Sequence, residues 1–244
     1  MPGLIKDLNK AGDKVINLSQ GGGNWSAKEK QTAIDSLCGV IRKHFSESNV
    51  NDPSRRQWVT RLENILMQSS TEQTLYDFKV GFHTLTKTST FDNTLFSKVI
   101  KTLTAMANTL PNSTGFCIIG IADSEKTAKS FERIYESKPV NYSSFYVTGV
   151  DGEADRYHGG ADNYFTKLTH LIKAQPISER DKDYISRNIT TVKYFDKTVI
   201  ILKIESDAKP SIYDRAYYVR HGSNLEQVQP EDFSTLFSRF SAQN

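Results

Sequence analysis

At 244 residues, with 37% hydrophobic and 11% aromatic side chains, the chain has apolar surface for one large domain or two small ones, which excludes a disordered protein. Its 31 basic against 28 acidic residues leave a net +3, a balance that permits an acidic partner such as nucleic acid without demanding one. No run approaches the ~18 apolar residues of a membrane span, and the N-terminus carries no basic segment followed by a long apolar stretch, so an intracellular, cytoplasmic protein with no membrane partner is expected.

The first seventy residues read as helical. Leu4, Ile5, Leu8, Val15 and Ile16 suggest one amphipathic helix, which Gly21, Gly22 and Gly23 end. The triplet is a flexible turn, because a phosphate-binding loop would need a preceding strand and a following Gly-Lys-Ser/Thr. Ser26 and Glu29 form a capping box ahead of Ile34, Leu37, Cys38, Ile41 and Phe45 at helical spacing. Asp52-Pro53 supplies a cap and a first-turn proline for a third helix, whose apolar side carries Trp58, Leu62, Ile65 and Leu66. Arg55, Arg56 and Arg61 lie on this helix as a basic face, either solvated or binding.

From residue 71 the pattern becomes mixed. Tyr76, Phe78 and Val80 alternate with Asp77 and Lys79, which predicts a short strand with apolar side chains on one face and charges on the other. Glu72 and Asp77 place two carboxylates within six residues. Such a strand is either an edge protected by charge or a strand that carries chemistry. A polar loop, His83 to Phe91, leads to a helix capped at Asp92 or Asn93 and bearing Leu95, Phe96, Val99, Ile100, Leu103 and Met106. The continuous apolar run Phe116 to Ala122, closed by Asp123, predicts a central strand buried on both faces that delivers an acid at its end. A polar stretch follows, then a strand over Phe145 to Val150 and a loop over Asp151 to Gly160.

That loop holds Asp151, Glu153, Asp155, His158 and Asp162, but in neither a calcium nor a zinc frame, so metal ligation there is not expected. A helix is predicted from Asn163 to Lys173, and a hairpin over Thr190 to Phe195 and Thr198 to Glu205, turning at Asp196-Lys197. Ala216 to Arg220 reads as the last strand, with His221-Gly222-Ser223 as a turn and Pro230 opening a final helix with Phe233, Leu236 and Phe240. Cys38 and Cys117 form neither a zinc spacing nor a disulfide framework and are expected to be reduced, buried thiols. His83 and His170 are expected at the surface or in packing.

Four pieces in this order resemble the divergent AlbA-like domain of the Schlafen group: Glu72-x-x-x-x-Asp77-Phe78-Lys79, the helix end Leu103 to Asn108, the strand Phe116 to Asp123, and Tyr217 to Ser223. The resemblance covers about residues 71 to 240. It implies an α+β, or mixed α/β, fold with a central mixed sheet and flanking helices over 71–244, behind a helical extension over 1–70. In nuclease members of the family three carboxylates bind divalent metal and cleave structured RNA such as tRNA. Those positions fall on Glu72, Asp77 and Asp123, where Mg²⁺ or Mn²⁺ would activate water and offset charge on a phosphodiester. Asp77 stands where the family usually has Glu, and Gly120 to Asp123 keeps only the second of two adjacent acids.

By the same resemblance Lys79, Arg220 and His221 are candidate phosphate contacts; Arg220 and His221 equally suit a solvated cap on the sheet. The function implied is a divalent-metal-dependent endoribonuclease, in a setting such as phage defence. The alternative is a non-catalytic nucleic-acid-binding or regulatory interaction domain of a larger protein, with RNA or DNA as partner. Vertebrate Schlafens clasp RNA between two such lobes and this chain holds one, so a homodimer is expected.

Overall fold

The computed structural model describes residues 53–68, 73–86 and 88–241. The first two expected helices, the glycine triplet, Cys38 and Glu72 lie outside the described residues, as do the side chains of Arg55 and Arg56. Trp58–Asn244 form one compact unit.

The third expected helix is α1 (Pro53–Gln68), with the proline in its first turn, where a missing N–H costs nothing. Leu62, Ile65 and Leu66 bury one side of it. Each such side chain contributes roughly 1.5–3 kcal/mol relative to an exposed position. Arg61 stacks its guanidinium 4.4 Å from the Phe116 ring centre.

The main sheet has the order β1 (Tyr76–Lys79), β2 (Thr114–Ile119), β7 (Lys197–Glu205), β6 (Thr190–Tyr194). β1 runs parallel to β2, and the other two pairings are antiparallel, so the sheet is mixed, as expected. Its period of two sorts the side chains cleanly. Asp77, Cys117, Ile119, Ile200, Leu202 and Ile204 face one way, and all but Asp77 belong to one apolar core with α2 (Asn93–Thr109), α5 (Ala161–Lys173) and α6 (Glu179–Asn188). Phe78, Phe116, Ile118, Val199 and Ile201 face α1 and the strands of a second sheet. β2 and β7 are therefore the doubly buried central strands, as expected for the run that begins at Phe116, and β1 and β6 are the edges.

The apolar run after Gly115 is not one strand. It breaks at Gly120, whose φ of +103° turns the chain into β3 (Ile121–Ala122), part of a second sheet ordered β3, β5 (Phe145–Val147), β4 (Val140–Tyr142). A side chain at Gly120 would stand 3.1 Å from Gly149 Cα, and the Gly120 carbonyl accepts from the amides of Thr148 and Gly149. Alternation alone does not reveal this kink, because both strands are wholly apolar.

Four further corrections have local causes. The expected loop from Asp151 is a helix, α4 (Asp151–His158), ended by Gly159 in the left-handed conformation. Two helices escaped the sequence reading: α3 (Glu125–Tyr135), capped by Ser124, and α6, capped by Ser178. Both caps are legible, but the charged residues around them leave only a narrow apolar stripe, Ala128 and Phe131 in α3 and Ile185 in α6. The predicted hairpin is β6–β7, but it turns one residue early, with Phe195 and Asp196 at φ +50° and +59°. β8 (Tyr218–His221) is not the last strand, since β9 (Asn224–Gln227) pairs with it across Gly222. A short 3-10 turn at Pro230–Asp232 leads into α7 (Phe233–Ser241), which buries Leu236 and Phe240.

Candidate functional site

Three of the described candidates, Asp77, Lys79 and Arg220, come together where β8 reaches β1. α2 is started by Asp92, whose carboxylate accepts from the Leu95 amide, and its far end holds β8. There the buried Asn108 donates to the Ser211 and Tyr218 carbonyls and accepts from the Ser211 amide, while the Thr109 hydroxyl accepts from the Arg220 amide. This anchoring fixes β8 so that Arg220 points inward.

Arg220 is 1% exposed and Asp77 4%. The guanidinium reaches Asp77 Oδ1 at 3.2 Å and also donates to the carbonyls of Gln73 and Tyr76 at 2.9 and 2.8 Å. Lys79, the next residue on the same face of β1, brings Nζ to 3.0 Å from the same Oδ1 and 2.8 Å from the Phe78 carbonyl. The thiol of Cys117, the register partner of Asp77 on β2, lies 3.9 Å from Oδ2. The charged face of β1 is thus not a solvated edge: its acid is buried and flanked by two cations.

The other candidates stand apart from this pair in exposure. Asp123, just past β3, is exposed. His221 is also exposed, with Nε2 3.7 Å from Glu226 across the β8–β9 hairpin. Glu72 lies outside the described residues. Among the described residues no group of three or more His, Cys, Asp or Glu side chains is placed to hold a metal ion. Both side-chain cations lie against Oδ1 of Asp77, so a divalent cation ligated by that oxygen would have to displace or offset them.

A second polar cluster lies under the segment that follows β1. Glu153 on α4 is almost fully buried and accepts from the backbone amides of Phe82 and His83, both at 2.9 Å, and from the Tyr164 hydroxyl. Burial raises its carboxyl above the ordinary range, against the lowering effect of these hydrogen bonds. Burial also raises the Tyr164 hydroxyl, with the Glu153 charge adding to it. His83 Nε2 meets His158 Nε2 at 2.9 Å. Burial lowers His83 to about 4, assisted by His158 and Lys167, and lowers His158 as well, assisted by Lys167.

His83 is therefore a packing residue with a specific partner, and Glu153 a structural acceptor. Asp151, at the start of α4, likewise accepts from the Thr198 amide at 2.6 Å and from the Thr198 hydroxyl. The sequence hides these pairings, because apart from Glu153 and Tyr164 the partners lie 47 to 75 residues apart.

The family model described as Schlafen, AlbA_2 matches residues 72–229. That span includes β1, α2, β2, β8 and β9. Among solved structures, the DIP2311 protein from Corynebacterium diphtheriae is similar at 15% identity with a TM-score of 0.41, covering 72% of this chain. The chain spans 30% of that protein. No curated protein matches the chain. With the family model covering well over half of its length, the chain belongs to the Schlafen AlbA_2 family.

Proposed function

We propose that this chain is a nucleic-acid-binding domain whose buried acid at Asp77 serves the fold rather than catalysis. The observation that carries the reading is the Asp77–Arg220 pair: a carboxylate neutralised by a guanidinium and by Lys79 holds β1 to β8. Family membership supports nucleic acid as the partner. Breaking a buried ion pair costs about 3–5 kcal/mol, so freeing Asp77 for a metal would have to offset that much.

The test is fluorescence anisotropy of labelled tRNA and single-stranded DNA titrated with the full chain in EDTA, at several salt concentrations. Saturable, salt-sensitive binding without metal is the expected result. Absence of binding to either nucleic acid would overturn the reading.

Metal-dependent endonuclease action on structured RNA, as in a defence role, is the second reading. Asp123 favours it: the acid is exposed just beyond a strand end and makes no ion pair among the described residues. Mg²⁺ or Mn²⁺ would then be held by Glu72 and Asp123, with Asp77 released from Arg220. A homodimer supplying two lobes belongs to either reading. Light scattering that gives a monomer both with and without RNA would remove it.

A further inference from the structure

His83 and His158 form an imidazole pair that the proposed function does not use. His83 lies in the segment Gly81–Phe91 between β1 and α2, and His158 is the last residue of α4. Each ring is held flat by a phenol: His83 stacks on Tyr157 at 4.3 Å and 8°, and His158 on Tyr164 at 4.5 Å and 11°. The two Nε2 atoms face each other at 2.9 Å, a normal N–H···N separation. Two Zn–N bonds of about 2.0–2.1 Å at a tetrahedral angle would hold the nitrogens about 3.3 Å apart, so the spacing is that of a hydrogen bond and not of a metal site.

The proton inventory of such a pair is fixed. When both rings are neutral, one Nε2–H donates and the other Nε2 accepts through its lone pair. A first added proton goes to the free Nδ1 of the donor and leaves the bond intact, now charge-assisted. A second proton must occupy the accepting Nε2. Two imidazolium N–H groups then point at each other with no acceptor between them. We propose that this bond is an acid-released latch: it ties the segment after β1 to the end of α4 while one imidazole is neutral, and lets go when both are protonated.

The charged and titratable surroundings act in one direction. From α5, Lys167 Nζ sits 4.3 Å from the Phe91 ring centre, and Phe91 in turn packs edge-on against His83 at 5.5 Å. From α4, Arg156 lies 5.7 Å from the Tyr157 ring and donates to the Ile134 carbonyl. Both are positive and disfavour a second imidazolium. From α3, Tyr135 packs on Tyr157 at 6.3 Å, and the Ser89 hydroxyl approaches His83 Nδ1 at 3.5 Å.

The acid of this cluster, Glu153, is committed to the Phe82 and His83 amides and to Tyr164. Burial, with Lys167, lowers the pKa of both imidazoles and so favours their neutral forms. The released segment would be the one closed by the Asp92 amide on the Phe82 carbonyl and the Thr84 amide on the Thr90 carbonyl.

The test is amide hydrogen exchange of Thr84 and Asp92 in the full chain, expressed as protection factors from neutral pH down to about pH 4, with His158→Gln beside it. Glutamine keeps a hydrogen-bonding group but cannot take up a proton, and the variant retains the titration of Glu153. Protection in the wild type is expected to fall about tenfold or more over this range, and to change less than about twofold in His158→Gln. Constant protection in the wild type, or an equal fall in the variant, would overturn the latch. Should the variant fail to fold, imidazole ¹⁵N shifts of the wild type decide. Two coupled steps below the ordinary histidine range support the latch, and two independent titrations near the ordinary value overturn it.

Discussion

Arg220 and Asp77 are 143 residues apart in sequence and meet at 3.2 Å in the interior, where the guanidinium joins a charge on β8 to a charge on β1. The geometry makes the pair structural, and it makes a quantitative prediction. Arg220→Ala takes the guanidinium from the buried Asp77 and is expected to lower unfolding stability by about 3–5 kcal/mol, read from urea melts. Arg220→Lys should recover only part of this, since one ammonium cannot reach Asp77 and the Gln73 and Tyr76 carbonyls as a planar fork does. An Arg220→Ala protein as stable as the wild type would remove the structural role.

Asn108 tests the other fastening of β8. Its amide group makes three hydrogen bonds to Ser211 and Tyr218 while fully buried. Asn108→Ala strands these backbone groups and should cost about 2–3 kcal/mol. Because β8 carries Arg220, the double variant with Arg220→Ala is expected to be less destabilised than the two single effects summed. Strict additivity would mean that the two fastenings act independently.

Gly120 is the point at which one apolar run is divided between two sheets. Alanine there meets both a φ of +103° and the backbone of Gly149 at 3.1 Å, neither of which a flexible side chain can relieve. Gly120→Ala should destabilise by more than about 1 kcal/mol, whereas replacing Gly222, whose surroundings are open, should cost less despite its own positive φ. Equal losses at both positions would assign the effect to φ alone.

Asp151 gives a pH dependence with a definite sign. Burial pushes its carboxyl up, but the hydrogen bonds from the Thr198 hydroxyl and amide, and Lys193, outweigh burial and hold it below the ordinary range. A carboxyl depressed in the folded state contributes stability above its unfolded pKa, and that contribution is lost as pH falls through the folded value. Asp151→Asn should therefore lower stability at neutral pH by about 1–2 kcal/mol and flatten its decline in acid. Urea midpoints measured across the acid range check both. The exposed Lys193 pair adds little to this.

The sequence carries the elements whose signals are local. The Asp92 cap, the β6–β7 hairpin and the apolar faces of α1, α2 and α7 follow from spacing alone. The α4 helix was hidden because Asp151, Glu153 and His158 look like loop chemistry, while each in fact bonds to a residue distant in sequence. Asp77 was legible as a special acid on β1 but not as a buried one. Its burial depends on Arg220, and only the folded β8 shows that this strand-end arginine turns inward rather than toward a phosphate.

The proposed function has Asp77 serving the fold in a domain that binds nucleic acid without cutting it. Labelled tRNA incubated with the wild type and with Asp77→Asn, each in Mn²⁺ and in EDTA, and resolved on native and denaturing gels, tests it most directly. The expected result is tRNA that shifts with the wild type in both conditions and stays intact throughout. Discrete fragments that require Mn²⁺ and disappear with Asp77→Asn, while the variant remains folded and still shifts tRNA, would contradict it.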